Sequence, residues 1–306
     1  MSGTPEAPRL KGKGRLPYRY MADFLGFLNG HRDRVQTVTY DDLPWGGDFD
    51  YHHNYPVEWG NWKRELGGGT RDSRVIYVLL QHDVDGLPER TMAMLREEAE
   101  LGLRSNVMIF NRRVDAARLR RNGGVAFTDY PIDYGLLRGL QESGFVIGYH
   151  MNAFEQAAFD PEGAKGIFES DVAELRARGL KIGYFSPHGG VRSPDGRCNF
   201  SVEVPESLKR SIRWAHNAHS PRFDGNYSDG GIKSPKDSAK LDLRGFARGW
   251  RPGGRYRALA HPQYYHSPCV ATASLADAQW YRDLMTFYES GKPPNGSVWS
   301  DVTLMR

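Results

Sequence analysis

The residues best suited to chemistry lie in one octapeptide, Leu79 to Gly86, which reads LLQHDVDG. An apolar run precedes it and a stretch with helical spacing follows, so the octapeptide is predicted to end a buried strand. Asp83 and Asp85 occupy alternate positions, which places both carboxylates on one face of an extended chain. A helix N-cap needs only one acid, so the pair favours a functional site. His82 points to the opposite face and is interpreted as structural.

Strands and helices alternate along the chain after Arg74. Apolar runs of strand length are followed by stretches whose apolar residues have helical spacing. This alternation predicts a parallel sheet covered by helices, either open or closed into a barrel. Three later predicted strands end in histidine, at His150, His188 and His261. Because the carboxyl ends of parallel strands meet on one face, these histidines and the two aspartates are expected to gather there.

Aspartate and histidine together bind borderline divalent cations such as zinc, cobalt, nickel or manganese. A catalytic site of this kind has about three protein ligands and an open position. The cation lowers the pKa of water and polarises a carbonyl oxygen. A carboxylate that does not bind the cation can act as general base, and a further histidine can act as general acid. The strand-end residues are therefore sufficient for metal-assisted hydrolysis.

The composition indicates a folded protein. Hydrophobic residues make up 39% and charged residues 25% of the 306 residues, which favours a sizeable core over disorder. The formal charge of +4 is small and the basic residues are dispersed, so nucleic acid is not an expected partner. No apolar run has the length of a signal peptide or a membrane span, and neither Cys198 nor Cys269 lies in a C-x-x-C motif. We therefore expect a cytoplasmic protein in a reducing compartment.

Four segments resemble, in order, motifs of the polysaccharide deacetylase (NodB-homology, carbohydrate esterase family 4-like) family. They are LLQHDVDG, GFVIGYHMNAF at 144–154, YFSPHGG at 184–190 and ALAHPQYY at 258–265. The resemblance implies a distorted, incompletely closed (β/α) barrel with an N-terminal extension. Residues 1–16 are expected to form a disordered tail, 17–74 an extension packing on the barrel, and 75–306 the NodB-like deacetylase domain.

The resemblance also implies a role for each strand-end residue. Asp83 would be the catalytic base and Asp85 a metal ligand. His150 would be a second metal ligand, and His261 would be the general acid. A backbone amide near Gly189 would stabilise the oxyanion of the reaction.

Two positions depart from the family pattern. The second motif usually has a further histidine four residues after the first, where this chain has Phe154. His188 is the candidate for the missing third ligand, because the third motif lies beside the metal. Ser186 stands where the family often has an arginine that holds the base, and Arg192 could substitute for that arginine.

Substrate contacts are expected from Gly189, Arg192 and Tyr264, the last as part of a sugar-stacking surface. The aromatic-rich segment 44–69 is interpreted as an ordered loop that packs over the domain or a ligand. Packing or surface positions are the preferred interpretation of Trp45, Trp59, Trp62, Tyr265, His52, His53, His216 and His219. Asp229, in the sequence NYSDGG, is interpreted as a turn residue in preference to a residue that lines the groove.

Taken together, the motifs predict a metal-dependent amidohydrolase that removes an N-acyl group, preferably acetyl, from an amino sugar or sugar conjugate. One divalent metal ion is expected, with zinc as the first candidate. Phe154 and Ser186 support an alternative, a catalytically inactive carbohydrate-binding relative that retains the barrel. A glycosidase is ranked last, since it would need two acids on separate strand ends. The oligomeric state is left open.

Overall fold

A computed structural model describes most of the chain. The described residues are 16–43, 72–215, 223–230, 241–265, 278–289, 299 and 302–304. The predicted N-terminal tail before residue 16 and the aromatic segment 44–69, with its three tryptophans and two histidines, lie outside them. His216 and His219 do so as well.

Ten strands are described. They are β1 (Val35–Val38), β2 (Ile76–Val84), β3 (Asn106–Ile109), β4 (Arg113–Val114), β5 (Phe127–Thr128), β6 (Val146–Met151), β7 (Tyr184–Pro187), β8 (Arg213–Trp214), β9 (Gly225–Ser228) and β10 (Arg255–Ala260). The α-helices are α1 (Tyr18–Gly30), α2 (Pro88–Glu100), α3 (Ala116–Asn122), α4 (Tyr134–Glu142), α5 (Ala153–Gln156), α6 (Pro161–Ala177), α7 (Leu243–Arg248) and α8 (Gln279–Glu289). No described helix combines the length and apolar character that crossing a bilayer requires.

Eight strands form one parallel sheet in the order β8-β7-β6-β3-β2-β10-β9, with β1 also paired to β2. β10 pairs with one edge of β2. The other edge pairs with two strands, with β1 along residues 76–79 of β2 and with β3 along residues 81–84. Helices α2 to α7 lie in the connections between successive parallel strands. Within the described residues β8 and β9 do not pair, so the barrel is incompletely closed, as predicted.

The helix α1 packs into the core beside the central strands. Its buried positions Tyr20, Phe24, Phe27 and Leu28 recur at helical spacing and form one apolar stripe. This stripe contacts Trp299 near the C-terminus, with the ring centroids of Phe24 and Trp299 5.1 Å apart. The first and last described segments thus stabilise the same side of the sheet.

The chain turns sharply where the octapeptide ends. Leu87 adopts φ 49°, a left-handed conformation that costs free energy in a bulky residue. Pro88 follows at the first position of α2, where its fixed φ suits a helix and no N–H is needed. This turn ends β2 abruptly and leaves Asp85 at the mouth of the barrel.

Candidate metal centre and acid–base site

Five ionisable side chains from four strand ends line one cavity of about 830 Å³. They are Asp83, Asp85, His150, His188 and His261. The structure therefore brings together every residue to which the sequence assigned a catalytic or metal-binding role.

Asp85, His150 and His188 form a cluster with the geometry of a metal centre. One ligand atom from each lies within 4.8 Å of the other two. The Nε2 atoms of His150 and His188 lie 3.0 and 3.7 Å from Oδ1 of Asp85. The two rings and the carboxylate thus face a common point. Two imidazole nitrogens and one carboxylate oxygen are a donor set that suits zinc and similar divalent cations.

The far side of each imidazole is held by a second partner. Nδ1 of His150 lies 2.9 Å from the carbonyl oxygen of Ser186, to which an Nδ1–H donates. Nδ1 of His188 lies 2.9 Å from Oε2 of Glu155. These partners can each accept an Nδ1 proton, and in that neutral tautomer Nε2 of each ring would be available to bind a metal. The residues present fit a divalent cation.

The charge of Asp85 also suits a cation. Burial raises the pKa of the Asp85 carboxyl, but His188 and His150 outweigh this and hold the pKa well below its usual range. Burial lowers the pKa of His188, but Asp85 and Glu155 raise it above its ordinary value. Asp85 therefore stays ionised, which is the state that binds a metal.

Asp83 lies beside the cluster but outside it. Its side chain is buried, and Oδ2 lies 4.0 Å from Nε2 of His150. Oδ1 accepts a 2.7 Å hydrogen bond from the side-chain amide of Gln81, two residues earlier in β2. The amide oxygen of Gln81 in turn accepts from Arg257 of β10 at 2.8 Å. One carboxylate oxygen is therefore fixed, and the other is directed towards the metal centre.

His261 lies near the other carboxylate oxygen of Asp85, with its Nε2 3.8 Å from Oδ2. Its Nδ1 lies 2.5 Å from Oδ1 of Asp229, and its backbone N–H donates to Oδ2 of the same carboxylate at 2.7 Å. Burial lowers the pKa of the His261 ring, but Asp229 overcomes this and raises the pKa to about 9. The ring is thus oriented and held in its protonated form, as a general acid requires.

No family model and no curated protein matches the chain. Similar solved structures include the peptidoglycan deacetylase PdaC from Bacillus subtilis, with 12% identity and a TM-score of 0.33 over 70% of this chain and 84% of that chain. The chitin deacetylase of the fungal pathogen Colletotrichum lindemuthianum has 10% identity and a TM-score of 0.37 over 72% and 83%. A CE4 family pseudoenzyme from Bacillus anthracis has 13% identity and a TM-score of 0.33 over 70% and 61%.

These three likenesses are too distant to carry an argument about function. The arrangement of the site is taken from the structure itself, in which all four motif segments end strands around a single cavity. The described sheet is a distorted, incompletely closed parallel barrel with helices in its connections, the architecture that the sequence predicted.

Phe154 does not contribute to the ligand cluster. Its side chain is 1% exposed and packs in the core, with its ring centroid 5.5 Å from that of Phe159. The third position of the cluster is filled from the end of β7 by His188, the candidate that the third motif offered. The chain thus gathers three ligand atoms despite the departure in its second motif.

Glu155 is a site residue that sequence reasoning missed. Its buried carboxylate accepts from the backbone N–H of Val191 at 2.7 Å and from the side chain of Asn199 at 3.2 Å, besides His188. A Cβ at Gly190 would overlap this carboxylate, so glycine is required for the close approach. Glu155 directly follows the second motif segment, which ends at Phe154. An acid next to the position of the missing histidine was therefore the sequence signal that could have identified it.

Arg192 is a correction, because the structure does not bring it to Asp83 or to the cavity. Its side chain is exposed, and Nη1 donates to the carbonyl of Gly196 at 2.8 Å. The turn that closes between Ser193 and Arg197 directs this arginine outwards. The arginine near the base is Arg257, which is 2% exposed and acts through Gln81.

The remaining predicted contacts lie at the cavity. Gly189 and Tyr264 both line it, and the ring centroid of Tyr264 lies 5.3 Å from that of His261. The backbone N–H of Gly189 makes no hydrogen bond within the described part of the chain. His82, interpreted as structural, is buried on the other face with Nε2 2.6 Å from Oε1 of Glu98.

Asp229 is a second correction to the sequence interpretation. It directly follows β9, is 2% exposed and holds His261. The turn preference of its sequence, SDGG, concealed an aspartate at a strand end. The strand-end rule that identified Asp83 and Asp85 applies equally here, but β9 was not recognised as a strand.

Proposed function

We propose that this chain is a metal-dependent hydrolase that removes an N-acyl group, preferably acetyl, from an amino sugar or sugar conjugate. The observation that carries the proposal is the arrangement of three separate units around one point. A cluster of potential ligands (Asp85, His150, His188) has beside it a buried carboxylate, Asp83, and a histidine, His261, that is held by its own aspartate. Amide hydrolysis needs a Lewis acid, a base and an acid, and each unit can supply one of them.

Asp85, His150 and His188 would hold the cation. When bound, the cation would lower the pKa of water and polarise the acyl carbonyl. Asp83 would accept the proton of the attacking water, because its free Oδ2 faces the cluster and Gln81 fixes its position. The free amide of Gly189 would donate to the carbonyl oxygen as negative charge develops there.

His261 would give its proton to the departing nitrogen. An amine is a poor leaving group until it is protonated, so the C–N bond breaks as the proton is transferred. Asp229 keeps Nδ1 occupied, which leaves the Nε2 proton directed into the cavity. Acid and base would thus be two separate residues, each next to the ligand cluster.

The cavity suits a sugar rather than a large apolar ligand. Its volume of about 830 Å³ lies within the range of small-molecule sites, about 300–1,000 Å³. Phe200, Trp214 and Tyr264 line it among the polar groups. Aromatic faces stack on the apolar faces of sugar rings, while the charged residues lie where the acyl amide would be placed. The mixed lining supports an acylated amino sugar as substrate.

Acyl release measured with and without metal tests the proposal. The purified protein is incubated with N-acetylated amino sugars, and free acetate and free amine are measured before chelation, after chelation and after zinc is restored. We expect equimolar acetate and amine that disappear on chelation and return with the metal. Binding of an acetylated sugar without turnover by the metal-loaded protein would instead support the inactive carbohydrate-binding relative. Release only from O-acetyl sugars would replace the amidohydrolase with an esterase.

Substitution of Glu155 tests the third ligand position. Glu155→Gln should weaken metal affinity about 10–100-fold, because it removes the carboxylate that orients the metal-facing imidazole of His188. His188→Gln should weaken it further, since a ligand itself is lost. Competition with a chromogenic chelator measures both, and circular dichroism checks folding. Arg192→Gln, an exposed position outside the cavity, is the matched control. Wild-type affinity in His188→Gln would remove His188 from the centre.

A further inference from the structure

One wall of the same cavity is basic and takes no part in the proposed chemistry. It is formed by Arg113 of β4, Arg120 of α3 and Thr128 of β5, which all line the cavity with the ligand cluster. These three residues are called the basic wall below. They belong to the connection between β3 and β6, outside the four motif segments.

Arg113 lies directly beside the metal centre. Its guanidinium is packed over Gly86, where a Cβ would stand 3.2 Å from Nη2. Gly86 follows Asp85 in the chain, so the absence of a side chain there lets the guanidinium approach the rim of the centre. Nη1 makes one long hydrogen bond, 3.4 Å to the hydroxyl of Thr128. Among the described residues, the other donors of this guanidinium have no hydrogen-bond acceptor.

Neither arginine of the basic wall forms an ion pair within the part of the chain that the structure describes. Within the described residues, no carboxylate lies within 4.0 Å of the guanidinium of Arg113 or Arg120. Asp115 also lines the cavity, and its Oδ1 accepts from the backbone N–H groups of Ala117 and Arg118, at 3.0 Å each, but it forms no ion pair with Arg113 or Arg120. By contrast, the neighbouring Arg112 pairs with Glu174 at 2.9 Å.

A planar guanidinium with free donors matches a phosphate or a carboxylate, which can accept two parallel hydrogen bonds. We infer that the basic wall binds an anionic group, a phosphate or a carboxylate, carried by the substrate close to its acyl amide. The inference rests on the proposed function and narrows its substrate to an anionic acylated amino sugar, in place of a neutral oligosaccharide.

Kinetics with matched substrates test the inference. The probes are N-acetylglucosamine 1-phosphate, the corresponding N-acetylated amino uronic acid, and neutral di-N-acetylchitobiose. We expect kcat/KM to be higher for an anionic probe than for the neutral one. Arg113→Gln should reduce the ratio of these two kcat/KM values at least ~10-fold, mainly through the KM of the anionic probe, because it removes a charged hydrogen-bond donor. The two anionic probes distinguish a phosphate site from a carboxylate site. Arg112→Gln, the adjacent arginine outside the cavity, should leave the ratio unchanged.

Equal kcat/KM for charged and neutral probes, or an equal effect of Arg113→Gln on both, would overturn the inference while leaving the hydrolase proposal intact. Calorimetry with N-acetylglucosamine 1-phosphate identifies the opposite case, in which the anion site exists but the protein is not a hydrolase. If no probe is hydrolysed but this sugar phosphate binds in an Arg113-dependent manner that weakens with salt, the anion site stands and the proposed function fails.

Discussion

Asp83→Asn is expected to lower the rate of deacylation by about 10²–10⁴-fold, the usual contribution of a general base. The substitution keeps the shape of the side chain, and its amide oxygen can still accept the 2.7 Å hydrogen bond from Gln81. What is lost is the capacity to take a proton. Since Asp83 lies outside the ligand cluster, the bound metal should remain at the wild-type level.

Acetate release measures the loss of rate in Asp83→Asn, and metal analysis of the same preparation measures the retained metal. Asp195→Asn makes the same carboxylate-to-amide change at an exposed position, where Asp195 pairs with Arg197 at 2.6 Å. That control should retain activity, because the residue lies outside the cavity. Turnover at the wild-type rate in Asp83→Asn would remove Asp83 from the mechanism. Loss of metal together with activity would make Asp83 a ligand and not a base.

The residues at the mouth of the barrel were predictable because they depend on local pattern alone. A strand of period two places Asp83 and Asp85 on one face, and parallel strands bring their carboxyl ends together. His150, His188 and His261 follow from the same rule. None of these placements requires knowledge of which strands are neighbours, since any order of a curled parallel sheet directs these ends to one mouth.

The residues that support the site depend on strand order, which the sequence does not encode locally. β10 pairs with β2 although about 170 residues separate them, and this brings Arg257 within 2.8 Å of Gln81. Arg192 is close to the third motif in sequence, but a local turn directs it to solvent. β1 likewise joins β2 at a parallel edge, although the sequence assigned its segment to an extension.

Asp229→Asn should lower kcat at least ~100-fold, because general acid catalysis contributes about 10²–10⁴-fold and the acid depends on this carboxylate. Asp229 holds His261 through one hydrogen bond from the ring Nδ1 and one from the backbone N–H, and it favours the protonated form of the ring. An asparagine can accept from only one of these donors and carries no charge to stabilise the imidazolium.

The pH profile distinguishes this role from a purely structural one. Asp229 raises the pKa of His261 to about 9, so the acid is present below that pH and is lost as the pH rises through it. Without the carboxylate the pKa should fall towards its ordinary value of about 6.5. The alkaline limb of kcat should therefore move to lower pH, so the loss of activity is greater at pH 8 than at pH 6. Asp224→Asn, the same change just before β9, should leave the limb in place, because Asp224 accepts from the backbone N–H of Arg255, at the start of β10, whereas His261 follows the end of that strand. An unmoved limb in Asp229→Asn, with the protein folded and its metal retained, would show that another group protonates the leaving amine.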